Sequence, residues 1–274
     1  MSKGSGEARV VPFAAGVSRP LLIGMVHLKA LPGSPNYGGE FDDVLRHAVT
    51  DLDALQEGGA DGAIIENFFD APFYPGRVPP VTVAAMTAAA TRLRSHAAEN
   101  FLLGINVLRN DALAALSIAS VVGASFIRVN VHTGVSVADQ GFLVGEAHET
   151  ARLRRSLGHR IAILADVGVK HASTLGSRSL EDEARDAVER GLADAVLVTG
   201  PRTGSPVDQD ALVSVTTAAN HVPVLAASGV NLQTAGALAR HCDGVVVGTW
   251  IKESGAIDAP VDAGRVKQLS ASLQ

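Results

Sequence analysis

The 274-residue chain is 47% hydrophobic and 19% charged, enough apolar material for one large core and too little polar tract for a largely disordered polymer. A formal net charge of −5, with Lys and Arg scattered and not striped, excludes the electrostatic footprint of a nonspecific nucleic-acid binder. The longest apolar runs, about eight residues, fall short of the roughly 20 a membrane-spanning helix needs, and the single Cys242 cannot form an internal disulfide.

Residues 1–18 read as a flexible N-terminal leader, without the basic segment and apolar core of a signal peptide. With the cysteine usage of a reducing compartment, this predicts a cytoplasmic protein. From residue 19 onward, short β-rich apolar runs recur at 21–28, 63–67, 102–108, 126–131, 161–167, 195–200, 223–229 and 244–250. Each is followed by a segment with apolar spacing near 3.6 residues, at 41–58, 81–98, 110–122, 143–157, 179–190, 207–220, 231–240 and 261–272. Acidic residues at Asp42-Asp43, Asp111 and Glu181-Asp182-Glu183 suit helix starts, and Gly58-Gly59 and Gly191 suit helix ends.

Strands that are apolar throughout are buried on both faces, and strict alternation with helices implies parallel pairing. Eight such units predict an α/β chain folded as a single (β/α)8 TIM barrel of the phosphate-binding type, with one domain over 19–274. A doubly wound open sheet would need a Gly-rich fingerprint after the first strand. The chain has His27-Leu28-Lys29-Ala30-Leu31-Pro32-Gly33-Ser34-Pro35 there, with two prolines unsuited to opening a phosphate-binding helix.

In such barrels the C-terminal strand ends carry the chemistry. The fifth run leads into Asp166-Val167-Gly168-Val169-Lys170-His171, a carboxylate, an amine and an imidazole where an apolar strand has no need of them. Strand parity adds His27, Lys29, Glu66, Asn106, Arg128, Asn130, His132 and Thr199 to the same rim. Asp166 or Glu66 is expected as general base, His27 or His171 as proton shuttle, and Lys170 and Arg128 as stabilisers of an oxyanion or enolate. Lys29, Asn67, Asn106, Asn130, His132 and Arg202 are expected substrate contacts.

Small polar residues on three adjacent strand ends, Thr199-Gly200, Ser228-Gly229 and Gly248-Thr249, predict a phosphate site built from backbone N–H groups. The bland counterparts are an ion-pair ring satisfied within itself and glycines that serve only tight turns. Segments 68–80 and 135–145 are lid candidates or packed surface loops. His27, Glu66, His132, Asp166 and His171 are metal-ligand types without a fixing motif, so a divalent ion is compatible and no cofactor is specified.

Several of these segments together resemble the BtpA/SgcQ family: Gly24-Met25-Val26-His27 leading to Leu31-Pro32-Gly33-Ser34-Pro35, Glu66-Asn67 with Asp70-Ala71-Pro72-Phe73, Asp166 with Val169-Lys170-His171-Ala172, Thr203-Gly204-Ser205-Pro206, and Val247-Gly248-Thr249. The resemblance covers residues 21 to about 270 and implies a TIM-type barrel. One branch of that family is named for a photosystem I biogenesis factor, and other members are associated with carbohydrate gene clusters. Gly168 departs from the His or similar polar residue expected between Asp166 and Val169.

The expectation is therefore an enzyme acting on a small phosphorylated metabolite, a sugar phosphate or nucleotide-like compound, by isomerase, lyase or glycosidic-bond chemistry. The alternatives are a non-enzymatic assembly factor and a ligand-binding regulatory barrel. A barrel exterior can also support a homo-oligomer, with no sequence feature to fix the number.

Overall fold

All seven residues of the first strand, β1 (Leu21–His27), are buried, as a continuous apolar run requires when both its faces are covered. A computed structural model describes residues 12–13, 19–158, 161–169, 172–176, 178–200 and 207–274. In chain order β1 is followed by α1 (Phe41–Glu57), β2 (Gly62–Glu66), α2 (Pro80–His96), β3 (Leu102–Asn106), α3 (Ala112–Val122) and β4 (Phe126–Val129). A hairpin, β5 (Val135–Ala138) and β6 (Gly141–Val144), precedes α4 (Ala147–Leu157) and β7 (Ala162–Val167). Then come β8 (Ala172–Thr174), α5 (Leu180–Arg185), β9 (Ala195–Thr199), α6 (Gln209–Ala219), β10 (Val224–Ala227), α7 (Ala235–Leu238), β11 (Gly244–Val247) and α8 (Ala263–Ser272).

Eight parallel strands, ordered β1-β11-β10-β9-β7-β4-β3-β2, close on themselves because β1 pairs with both β2 and β11. The fold is the expected (β/α)8 barrel. Seven of the eight strands leave the ladder one to three residues sooner than their apolar runs do, which frees the last residues of each run for the mouth. The seventh helix keeps one turn only. Asn231 Oδ1 accepts from the N–H groups of Gln233 and Thr234, and this side-chain turn takes the place of the expected first helical turn.

Two features were not legible in the sequence. Phe13, inside the stretch expected to be a flexible leader, is buried edge-on against Phe126 at the N-terminal end of β4, ring centroids 4.9 Å apart. The leader expectation is corrected there, since an aromatic ring gains more from burial than a free tail allows. In addition, β6, β5 and β8 form a small antiparallel sheet whose outer face exposes Val137, Phe142, Val144 and Leu175, while Ser136 and Leu143 face inward.

Closure is reinforced by an ion pair across 201 residues of sequence. Lys252, just past β11, donates to Asp51 of α1 at 2.5 Å, and the other Asp51 oxygen accepts from the Val261 N–H at 2.8 Å. Both side chains are fully buried, so either charge left alone carries a large desolvation cost. Lys252→Met is expected to lower stability by about 3–5 kcal/mol, and adding Asp51→Asn to recover at least half of that loss. Urea-denaturation midpoints check it, and a double variant no more stable than the single one would refute a charge-based origin.

Candidate functional site

The strand ends gather a buried set of charged groups. Arg128, inward on β4, places Nε and Nη2 each 2.8 Å from the two Asp166 oxygens of β7, a bidentate pair, and Asn130 Nδ2 donates to Asp166 Oδ2 at 2.8 Å. The remaining Arg128 terminal nitrogen, Nη1, lies 3.7 Å from Glu66 of β2. Burial disfavours the Arg128 cation, but Asp166 and then Glu66 outweigh it and raise its pKa. Glu66 also accepts from Asn106 Nδ2 at 2.5 Å, and its other oxygen stands 3.8 Å from His27 Nε2. The His27 ring stacks on Phe68 with centroids 4.4 Å apart.

A cavity of about 1090 Å³ opens at this mouth. His27, Glu66, Arg128 and Asn130 line it on one side, and Ser228, Gly229, Gly248 and Thr249 on the other. Ser228 takes a positive φ of 77°, Gly229 one of 61°, and the Ser228 hydroxyl has no partner among the described residues. A Cβ on Gly248 would stand 3.2 Å from the His27 ring, tighter than ordinary packing, so glycine is what lets β11 approach β1 here.

Other expected site residues go elsewhere. Asp166 is not itself at the cavity wall; its three hydrogen bonds turn it toward β4, behind Arg128 and Asn130. Lys29 pairs with Asp43 at 2.7 Å in a second chamber, because it lies beyond the last ladder residue of β1, where strand parity no longer governs direction. Asn67 accepts from the Leu108 N–H at 2.7 Å and donates to Asp70, so it ties two loops together. Asn106 is likewise committed to Glu66 and stands outside the cavity lining.

Thr199 donates its hydroxyl to the Gly168 carbonyl, and neither it nor Gly200 lines the cavity. His132 is buried against the Gly191 carbonyl, 2.8 Å from its Nε2, away from the mouth. Lys170, His171 and Arg202 lie outside the described residues.

Strand parity missed Arg109, a buried lining residue past β3 whose pKa burial pushes down against the pull of Asp166 and Glu66. Its signal was a basic residue directly after an apolar run. Both long loops reach the mouth: Phe68, Phe69 and Phe73 wall one side, and Asp139 and Gln140 at the β5–β6 tip close another. Among the described residues, no three His, Cys, Asp or Glu side chains form a group that could hold a metal ion.

Parallel closure, polar strand ends and a mouth cavity define a (β/α)8 barrel with a large cavity at the C-terminal ends of its strands. The chain belongs to the BtpA family, whose model matches residues 18–274. It is 48% identical to the photosystem I biogenesis protein BtpA of Synechocystis sp. over 89% of this chain and 85% of that one. It is 46% identical to an uncharacterized protein of Pyrococcus furiosus over 92% of this chain and 94% of that one. A mitochondrial uncharacterized protein of Caenorhabditis elegans is 34% identical over 94% of this chain and 95% of its own.

Among solved structures, thiamine phosphate pyrophosphorylase from Pyrococcus furiosus matches with TM-score 0.60 and 16% identity, over 93% of this chain and 95% of that one. KGPDC from Streptococcus mutans matches with TM-score 0.59 and 11% identity, over 93% of this chain and 98% of that one. At these identities the likeness is one of fold. No helix among the described residues is long and apolar enough to cross a membrane.

His132 generates a pH prediction. Burial lowers its pKa to about 4, against about 6.5 in an unfolded chain, so between these values the unfolded state binds more protons. The stabilisation is complete above about pH 6.5 and is lost as pH falls toward 4, by roughly 3 kcal/mol at most. Urea denaturation at stepped pH should give His132→Gln a flatter profile than the parent across this window; parallel profiles would contradict the assignment.

Proposed function

We propose that this barrel is a cytoplasmic enzyme acting on a small phosphorylated metabolite, a sugar phosphate or nucleotide-like compound, by isomerase, lyase or glycosidic-bond chemistry. The observation that carries the reading is the two-sided cavity. Small residues, among them Ser228 with a hydroxyl unpartnered among the described residues, stand at the ends of β10 and β11, and a carboxylate, an imidazole and two guanidinium groups face the same space. Backbone N–H groups at glycines can approach an anion closely, and loops after the last two strands are a common phosphate site in barrels. Several solved barrels of similar fold are named for phosphorylated compounds, among them thiamine phosphate and 3-hexulose-6-phosphate, which supports the reading at the level of fold.

Within that reading Glu66 is the general base and His27, 3.8 Å away, exchanges the proton with it. Arg128 and Arg109 meet negative charge that develops on the substrate. Asp166 holds Arg128 and Asn130 in place and is a positioning residue. A second reading, docking in complex assembly, draws on the exposed apolar face of Val137, Phe142, Val144 and Leu175.

Thermal-shift screening separates the two. Phosphorylated sugars and nucleotides held well above their Kd should raise Tm, with about 3–4 kcal/mol of stabilisation, while their dephosphorylated counterparts should not. Ser228→Ala should weaken the phosphorylated ligands about tenfold, the scale of one lost charge-assisted hydrogen bond. On the substrate so found, Glu66→Gln should lower kcat by roughly 10²–10⁴ with little change in ligand affinity. If no phosphorylated compound stabilises the protein, or if Glu66→Gln turns over normally, the enzyme reading fails.

A further inference from the structure

The main cavity, about 1090 Å³, reaches the upper end of chambers that enclose drug-sized ligands, roughly 300–1,000 Å³, and exceeds what a bare sugar phosphate occupies. Its walls are of two kinds. The polar wall includes side-chain atoms without hydrogen-bond partners among the described residues, of which Ser228 Oγ and Asn130 Oδ1 sit on residues only 8% and 3% exposed. Asp166 can only accept, so the Asn130 amide must turn its N–H group toward it at 2.8 Å. That leaves Oδ1 as a fixed acceptor, and a buried acceptor of this kind is satisfied by a ligand O–H or N–H.

The other wall is aromatic. Phe68, Phe69 and Phe73 are half-buried and face the cavity from the loop after β2. Phe68 is stacked on His27, and Phe69 stands edge-on to Phe68, centroids 5.2 Å apart at 85°. A bare sugar phosphate covers little of three phenyl groups, whereas a planar ring stacks on such a surface. Phe69 and Asn36 also line the second chamber, about 550 Å³, where Tyr37 and His47 would meet the polar edge of a ring.

We infer that the substrate is a sugar phosphate carrying a planar ring, of the nucleoside 5′-monophosphate kind. Its phosphate lies on the Ser228-Gly229 and Gly248-Thr249 corner, a sugar hydroxyl donates to Asn130 Oδ1, and the ring rests on the phenylalanine shelf. The inference rests on the phosphate reading of this same site.

Calorimetric titration of the whole chain with ribose 5-phosphate, AMP and UMP tests it. At least one nucleotide should bind about tenfold or more tightly than ribose 5-phosphate, the scale of one stacked base. Phe69→Ala and Phe73→Ala, both at half-exposed positions, should remove most of that advantage and leave ribose 5-phosphate affinity unchanged. If ribose 5-phosphate binds and neither nucleotide binds more tightly, the ring inference is overturned while the phosphate reading stands. An advantage that survives both phenylalanine variants also overturns it. Absence of binding by all three probes overturns both readings.

Discussion

Everything at the mouth of this barrel is arranged around one guanidinium. Arg128 is buried with two of its nitrogens on Asp166 and a third facing Glu66, and a cation in that position has to be matched within the protein. The bidentate geometry fixes the relative placement of β4 and β7, and the Glu66 contact reaches across β3 to β2. A buried network of this kind contributes little net stability over an apolar core. What it supplies here is orientation: Asn130 is held by Asp166, Asn106 by Glu66, and the Glu66 carboxylate is presented to His27. The ion-pair ring anticipated as the bland alternative is therefore present: Arg128 and Glu66 face the cavity from it, and Asp166 supports Arg128 from behind.

Closure of the sheet sets the second constraint. Because β1 lies between β11 and β2, His27 stands between the glycine corner of one and the carboxylate of the other. Ser228, Gly229, Gly248 and Thr249 therefore open on the same cavity as the Glu66–His27 pair. The barrel strands thus hold His27 and Glu66, while the two long loops furnish walls whose chemistry can vary at little cost to the core.

Eight apolar runs gave the barrel because buried parallel strands have no polar face to blur the pattern. Ser228, Gly229, Gly248, Thr249, His27, Glu66, Arg128 and Asn130 were legible for the same reason: each sits within a residue or two of where its ladder ends, so strand direction still governs it. Lys29, two residues past β1, marks the limit of that reach, since its side chain enters the second chamber, and His132, three residues past β4, lies beyond it. Asn67 looked like a contact residue but serves loop-to-loop bonding, a role no periodicity encodes. Arg109 and the buried Lys252–Asp51 pair depend on contacts that only the closed fold creates.

Gly168 can be understood in the same terms. The family resemblance leads one to expect a polar side chain there. In the fold Gly168 has φ of 69°, a conformation that side chains adopt at a cost, and an added Cβ would meet Leu180 at 3.1 Å. Its carbonyl accepts the Thr199 hydroxyl, and its N–H donates to Glu183 at 3.3 Å. Both bonds belong to the backbone. The position therefore acts as a joint that lets the chain leave β7 sharply while Asp166, two residues earlier, stays locked to Arg128. A side chain at 168 would have to strain this turn, so the glycine is explained by the backbone it has to adopt.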